Sequence, residues 1–280
     1  MTIFENPDVA AAAHYPARPF RLRHTLAGHP LFTLPALLEL ARRLPPETIE
    51  YNAGDVGVVL DPAETPMTGL SVEETIRRIA ECNSWMVLKN AEADPLYRDV
   101  MEECLAAIAP AIERATGPME RKVAFIFISS PGAVTPLHID PEHNILMQIA
   151  GSKRITIYRD DGALIDDDYH ERYHAGEAHR NLSLTPAFEG RGETVELAPG
   201  EAVHVPLKAP HWVENGPVPS ISFSVTWRSR ASLDEASLRL ANRWARARGL
   251  APPPPGARPM RDRIAVLAHR VASKIGAVRP

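Results

Sequence analysis

Between residues 123 and 228 the chain breaks into short apolar segments separated by turns, with no helical period among them. Residues 123–129, 134–140, 145–150 and 154–158 read as strands, with Gly151-Ser152 as a turn between the last two. After a polar stretch, 160–191, strands resume at 193–197, 202–206 and 220–227, with Pro199-Gly200 and Asn215-Gly216-Pro217 as turns. Short strands at such close spacing predict an antiparallel sandwich or barrel of jelly-roll type.

The flanks are helical in texture. Residues 31–44 predict a helix capped by Thr33, and Pro45-Pro46 stops it. Ser71-Val72-Glu73-Glu74 is a capping box, 84–90 reads as a buried strand, and Asp94-Pro95 opens a helix to about residue 116. In that helix Val100, Cys104, Ile108 and Ile112 are four apart along one face. Residues 232–248 and 261–275 read as a final helix pair, divided by the proline run 252–255. The expected class is therefore α+β, in three parts. Residues 1–120 form a mainly helical portion packed on the core, 121–230 form the jelly-roll core, and 231–280 form the C-terminal helices.

Charge and cysteines narrow the function classes. A net charge of -4 in 280 residues gives no reason to expect nucleic acid, whose phosphates call for clustered Lys and Arg. No apolar stretch approaches membrane-spanning length, and the N-terminus has no signal-peptide pattern. Cys82 and Cys104 lie in helical segments without metal-ligand spacing, and read as reduced thiols. A cytoplasmic location is expected.

Chemistry concentrates in Thr135-Pro136-Leu137-His138-Ile139-Asp140-Pro141. His138 and Asp140 are two apart on a strand, so both leave the same face. Burying an imidazole and a carboxylate together requires compensation, which a metal ion supplies. A third ligand could be His204, inside the strand 202–206, or His211, which begins the next strand-like piece. A 2-His-1-carboxylate set with open positions favours Fe(II) oxygen chemistry. Structural zinc normally takes four protein ligands, usually including cysteine, although catalytic zinc on two histidines and a carboxylate stays open. His170, His174 and His179 show no regular face and read as part of a solvated loop.

The core resembles the Jumonji-C-like, cupin-type family of Fe(II)- and 2-oxoglutarate-dependent oxygenases, in particular the branch containing the asparaginyl hydroxylase of hypoxia-inducible factor. The residues that carry the resemblance are Thr135-Pro136-Leu137-His138-Ile139-Asp140, Asn144, Gln148 to Arg154, Pro199-Gly200-Glu201, Val205-Pro206, His211 and Thr226-Trp227. It implies a double-stranded β-helix, with His138, Asp140 and His211 as iron ligands. It implies that Lys153 and Thr135 hold the distal carboxylate of 2-oxoglutarate, with Asn144 nearby. Lys153 is one of five lysines in the chain, and a buried ammonium needs an anion. Where the branch often has a tyrosine in the carboxylate pocket, this chain has Val87, with Trp85 and Lys89 on the same face.

The resemblance further implies hydroxylation of a C–H bond of a protein side chain or small molecule, with 2-oxoglutarate decarboxylated to succinate. Demethylation of an N-methyl group would use the same parts. Residues 160–191 are expected to line the mouth of the site. The C-terminal helices resemble dimer-forming helices of the branch, with Leu238, Leu240, Trp244, Ile264, Leu267 and Val271 able to bury against a second copy. Two rival readings are a non-enzymatic, metal-binding cupin-like regulatory or ligand-binding protein, and a metal-dependent isomerase or hydrolase. The second would leave Lys153 and Thr135 without a role.

Overall fold

A computed structural model describes residues 3–54, 56–59, 68–160 and 162–276. Among these residues eleven strands form two antiparallel sheets. The N-terminal portion contributes β1 (Phe20–Arg23), β2 (Ile49–Ala53) and β3 (Ser84–Lys89), as well as helices α1 (Pro7–Ala12), α2 (Leu34–Arg43), α3 (Val72–Arg77) and α4 (Pro95–Thr116). The middle of the chain supplies β4 (Glu120–Ser129), β5 (Val134–His138), β6 (His143–Ala150), β7 (Lys153–Tyr158), α5 (Asp167–His174), β8 (Gly192–Leu197), β9 (Glu201–Val205), β10 (His211–Asn215) and β11 (Ser220–Arg228). Helices α6 (Arg230–Arg246) and α7 (Pro259–Lys274) end it. One sheet runs β1-β9-β6-β11-β4-β3-β2 and the other β5-β10-β7-β8.

Period-two alternation decides what each face of the larger sheet meets. On β4, Ala124, Ile126 and Ile128 are fully buried on one face, in register with Val225, Phe223 and Ile221 of β11. Met86, Leu88, Ile145 and Met147 extend this apolar face, which packs on Leu37, Leu40, Ile76, Tyr97 and the buried side of α4. Asp94 caps α4 by accepting from the Leu96 N–H, and Pro95 enters where no intrahelical donor is needed. The opposite face carries Phe125, Phe127, Asn144, Leu146, Ser224 and Thr226, all turned toward the cavity between the sheets. The rest of the gap between the sheets is packed by Leu146, Ile155, Ile157, Val195, Leu197, Val203, Val205 and Val213, of which Leu146, Ile155 and Val213 also line the cavity.

The β6–β7 turn depends on glycine. Gly151 takes φ +67°, and a Cβ there would lie 2.4 Å from the Pro219 carbonyl oxygen. The tight turn starts β7 at Lys153 and aligns it with Ile155 and Ile157, which face inward.

Several elements depart from the sequence expectations. Three of the seven strands in the larger sheet come from the N-terminal portion, which the helical texture understated. The polar stretch 160–191 contains α5, capped by Asp166. Its inward side is itself polar, with His170 and Glu171 buried, so hydrophobic periodicity could not reveal it. His170 and His174 do share a helical face, contrary to the reading of their spacing. Helix α6 starts at Arg230, earlier than the expected 232, because Ser229 is its N-cap and forms a capping box with Ser232. Cys82 and Cys104 are free thiols. Among the described residues no helix is long and apolar enough to cross a membrane.

Candidate metal centre

The pairing of β5 with β10 sets His138 directly opposite His211. Asp140 follows two residues after His138, and one ligand atom from each of the three lies within 4.8 Å of the others. Each imidazole Nε2 is 3.6 Å from Asp140 Oδ2, too long for a hydrogen bond. These groups converge without satisfying one another, which fits a divalent ion between them.

Local backbone orients both rings. His138 Nδ1 lies 2.6 Å from the Pro136 carbonyl oxygen, and His211 Nδ1 lies 2.9 Å from that of Ala209. A carbonyl only accepts, so each Nδ1 carries the proton and each Nε2 presents its lone pair inward. Burial, with His138 beside it, pushes the His211 pKa down to about 3, so this ring stays neutral and able to ligate at physiological pH. Burial alone would raise the Asp140 pKa, but Arg180, His138 and His211 outweigh it and hold the carboxyl well below its usual range. Arg180 Nη2 sits 3.2 Å from Oδ1, leaving Oδ2 for the histidine side.

The three groups open into a cavity of about 580 Å³ that also contains Lys153, Thr135 and Asn144. Lys153 is 5% exposed. Among the described residues its ammonium has no hydrogen-bond or ion-pair partner, and it lies over the Phe127 ring with the centroid 5.7 Å from Nζ. Burial pushes its pKa down to about 7. Asn144 Oδ1 accepts a 2.6 Å hydrogen bond from Ser224, which turns its amide nitrogen away from that hydroxyl. Val87 lines the same cavity, paired across the strands with Phe127. Lys89 is held 2.5 Å from Glu50, so it is not a second free cation.

Of the two histidines considered as third ligand, the structure brings in His211. His204 faces the other side of its sheet, stacked on Phe20 at 4.7 Å and against Tyr15 at 5.2 Å. His170 lies 3.6 Å from Asp160, away from the centre. His138, Asp140 and His211 form the one such cluster among the described residues.

Sequence reasoning missed several groups. Arg180 sits 40 positions beyond Asp140 in a segment without periodicity, and no local signal marks it. Tyr173, His179 and Asn181 of that segment also line the cavity, and an isolated bridge joins Asn181 to His138. Glu142, two residues after Asp140, was legible by proximity. Burial, then Asp140, raises its pKa to about 7, although Arg228 Nε lies 3.5 Å away.

No family model matches the chain. Two curated proteins match part of it. Jumonji C domain-containing protein 5 of Drosophila melanogaster is 33% identical over 113 residues, 36% of this chain and 26% of that protein. Lysine-specific demethylase JMJ30 of Arabidopsis thaliana is 32% identical over 109 residues, 36% of this chain and 24% of that protein. The match spans about a quarter of the length of these relatives. Among solved structures, Escherichia coli YcfD superposes with a TM-score of 0.53 at 14% identity, covering 96% of this chain and 68% of that one. A second structure of it, described as a ribosomal oxygenase, gives 0.50 at 15% identity over 97% and 67%. At these identities the structural likeness shows the fold. The sequence matches are to Jumonji C proteins over about a third of the chain, and they do not single out the asparaginyl hydroxylase branch.

Proposed function

We propose that this chain is an Fe(II)- and 2-oxoglutarate-dependent oxygenase with a double-stranded β-helix, jelly-roll core. The observation that carries the reading is the buried, unpartnered ammonium of Lys153 in the same cavity as the His138, Asp140 and His211 cluster. A buried cation with no protein anion calls for an anionic ligand, and a metal chelator with a distal carboxylate answers both features. Iron and 2-oxoglutarate bound here would supply the oxidising chemistry for C–H hydroxylation, releasing succinate and carbon dioxide.

The chain's own residues have distinct tasks. His138, Asp140 and His211 would hold the metal and leave coordination positions open. Lys153 and Thr135 would take the distal carboxylate, with Asn144 beside it. Phe125, Phe127 and Val87 wall the cavity with apolar surface and limit water, and Tyr173 and Arg180 close its rim. The C–H bond hydroxylated belongs to a protein side chain or small molecule, and an N-methyl group would be removed by the same parts. The demethylase name of one relative supports a protein substrate.

Heating the protein with metal tests the reading. With 2-oxoglutarate at about 100 times its Kd, stabilisation of about 2.7 kcal/mol is expected, read as a rise in Tm that needs the metal. Metal-dependent melting with no response to 2-oxoglutarate or an inert analogue would favour instead a cupin-like binding protein. Val87, lining the cavity where the resemblance implies a tyrosine, is the observation that favours that second reading.

We also propose a homodimer through the C-terminal helices. Met260, Ile264, Leu267 and Val271 of α7, with Ile275 just beyond its end, recur every three or four residues and are 52–74% exposed, and Trp244 of α6 is 48% exposed. Ile264→Glu with Leu267→Glu is expected to convert a dimer to a monomer in light scattering. A wild-type chain that is monomeric at tens of micromolar would overturn this.

A further inference from the structure

The turn between β9 and β10, residues 206–210, does more than connect strands. The Lys208 N–H donates to the Asp140 carbonyl oxygen at 2.9 Å, and the Ala209 carbonyl orients His211 at Nδ1. One five-residue turn thus fixes the backbone of one candidate ligand and the ring of another. The turn is itself strained. Lys208 is a non-glycine residue at φ +55°, a conformation that persists only where surrounding structure imposes it.

The turn is tied to α6. The Lys208 ammonium, its side chain only 10% exposed, is ion-paired to Glu235. Glu235 also accepts from Arg239 Nε at 3.3 Å, and Arg239 is ion-paired in turn to Asp167 of α5. Burial would raise the Glu235 pKa, but Lys208 and Arg239 bring it down to about 2, so the carboxylate is charged throughout the physiological range. We propose that Glu235 is a positioning residue of the metal centre, acting through Lys208 to hold the turn that orients His211 and Asp140. It contacts neither metal nor cosubstrate. The proposal rests on the metal reading above, and it makes the C-terminal helix pair part of the site's support.

An ion pair that merely fastens α6 to the core would behave differently, and the structure offers a control. Arg246 of α6 pairs with the fully buried Glu171 of α5 at 2.8 Å, and among the described residues neither has a hydrogen bond to the 206–210 turn. The test is calorimetric titration of the metal-free full chain with Co(II), together with the visible Co(II) spectrum and the Tm of each protein. Glu235→Ala is expected to weaken Co(II) binding by roughly 10-fold, the size of outer-shell effects at metal sites, and to change the spectrum. Glu235→Gln keeps an acceptor for Lys208 and should fall between it and wild type. Glu171→Ala should lower Tm while leaving the Co(II) Kd within about twofold, because its pair is structural. Wild-type affinity in Glu235→Ala, or an equal loss in Glu171→Ala, overturns the proposal. A wild-type chain that binds no Co(II), or an Asp140→Ala variant that binds as tightly, overturns the metal reading itself.

Discussion

Asp140→Asn is expected to abolish turnover and to weaken metal binding beyond the roughly 10–100-fold seen for outer-shell changes, because it removes a ligand rather than its support. The substitution is nearly isosteric, so the loss is electrostatic. The two imidazoles stay in place, but the negative charge that balances the cation is gone. Arg180, 3.2 Å from Oδ1, then faces an amide and becomes a competing positive charge beside the site. His138→Ala removes a ligand without adding that repulsion. It should also erase the weak visible charge-transfer band expected when Fe(II) and 2-oxoglutarate are combined without oxygen. Metal titration of the folded variants checks both, and near wild-type affinity in Asp140→Asn would dismiss the carboxylate as a ligand.

Lys153→Met is expected to make the unliganded protein more stable and the liganded one unresponsive. In the fold the Lys153 pKa is about 7, against about 10.4 for an unfolded lysine. Below pH 7 the ammonium is charged in both states and the cost of burying it is fully felt. As pH rises from 7 to 10 the folded protein releases the proton while the unfolded chain keeps it, so the unfolded state binds more protons and stability climbs through that window. Methionine fills similar volume without the charge. At pH 6–7 the variant should gain on the order of 1–4 kcal/mol, or about 2–4 °C per kcal/mol, and its pH dependence between 7 and 10 should flatten. The Tm rise with 2-oxoglutarate should disappear, since a bound carboxylate is what stabilises the ammonium in the wild-type chain. A variant that melts lower than wild type and still responds to 2-oxoglutarate would remove Lys153 from the site.

The two predictions differ in how far their residues could be read beforehand. His138 and Asp140 share a face by strand periodicity alone, and the turn signals at Gly151-Ser152 and Pro199-Gly200 delimit the strands of the core. Lys153 stood out as one of five lysines in the chain and by the family resemblance, whereas its position after a glycine turn marked it only as a turn lysine. Its lack of a partner, the feature that gives it meaning, appears only once both sheets are in place. The helix α5 was invisible because its buried positions are occupied by histidine and glutamate rather than apolar residues. Arg180 and Glu235 gave no signal of these roles, since their partners lie 40 and 27 positions away.

Local order was decided by the amino-acid sequence itself. Alternation set which strand residues point inward, caps and prolines bounded most helices, and the spacing of His138 and Asp140 put two candidate ligands side by side. The choice between His204 and His211 belonged to tertiary structure. Both lie in or at the start of short strands of similar texture, and the register of β10 against β5, together with the opposite facing of β9, brings one to the centre and sends the other into the aromatic packing around Tyr15. The support of the site was decided there too, in Arg180 on Asp140 and in Glu235 on Lys208. Such pairings join charges distant in sequence, and they arise only when the burial of other side chains has closed the loops between them.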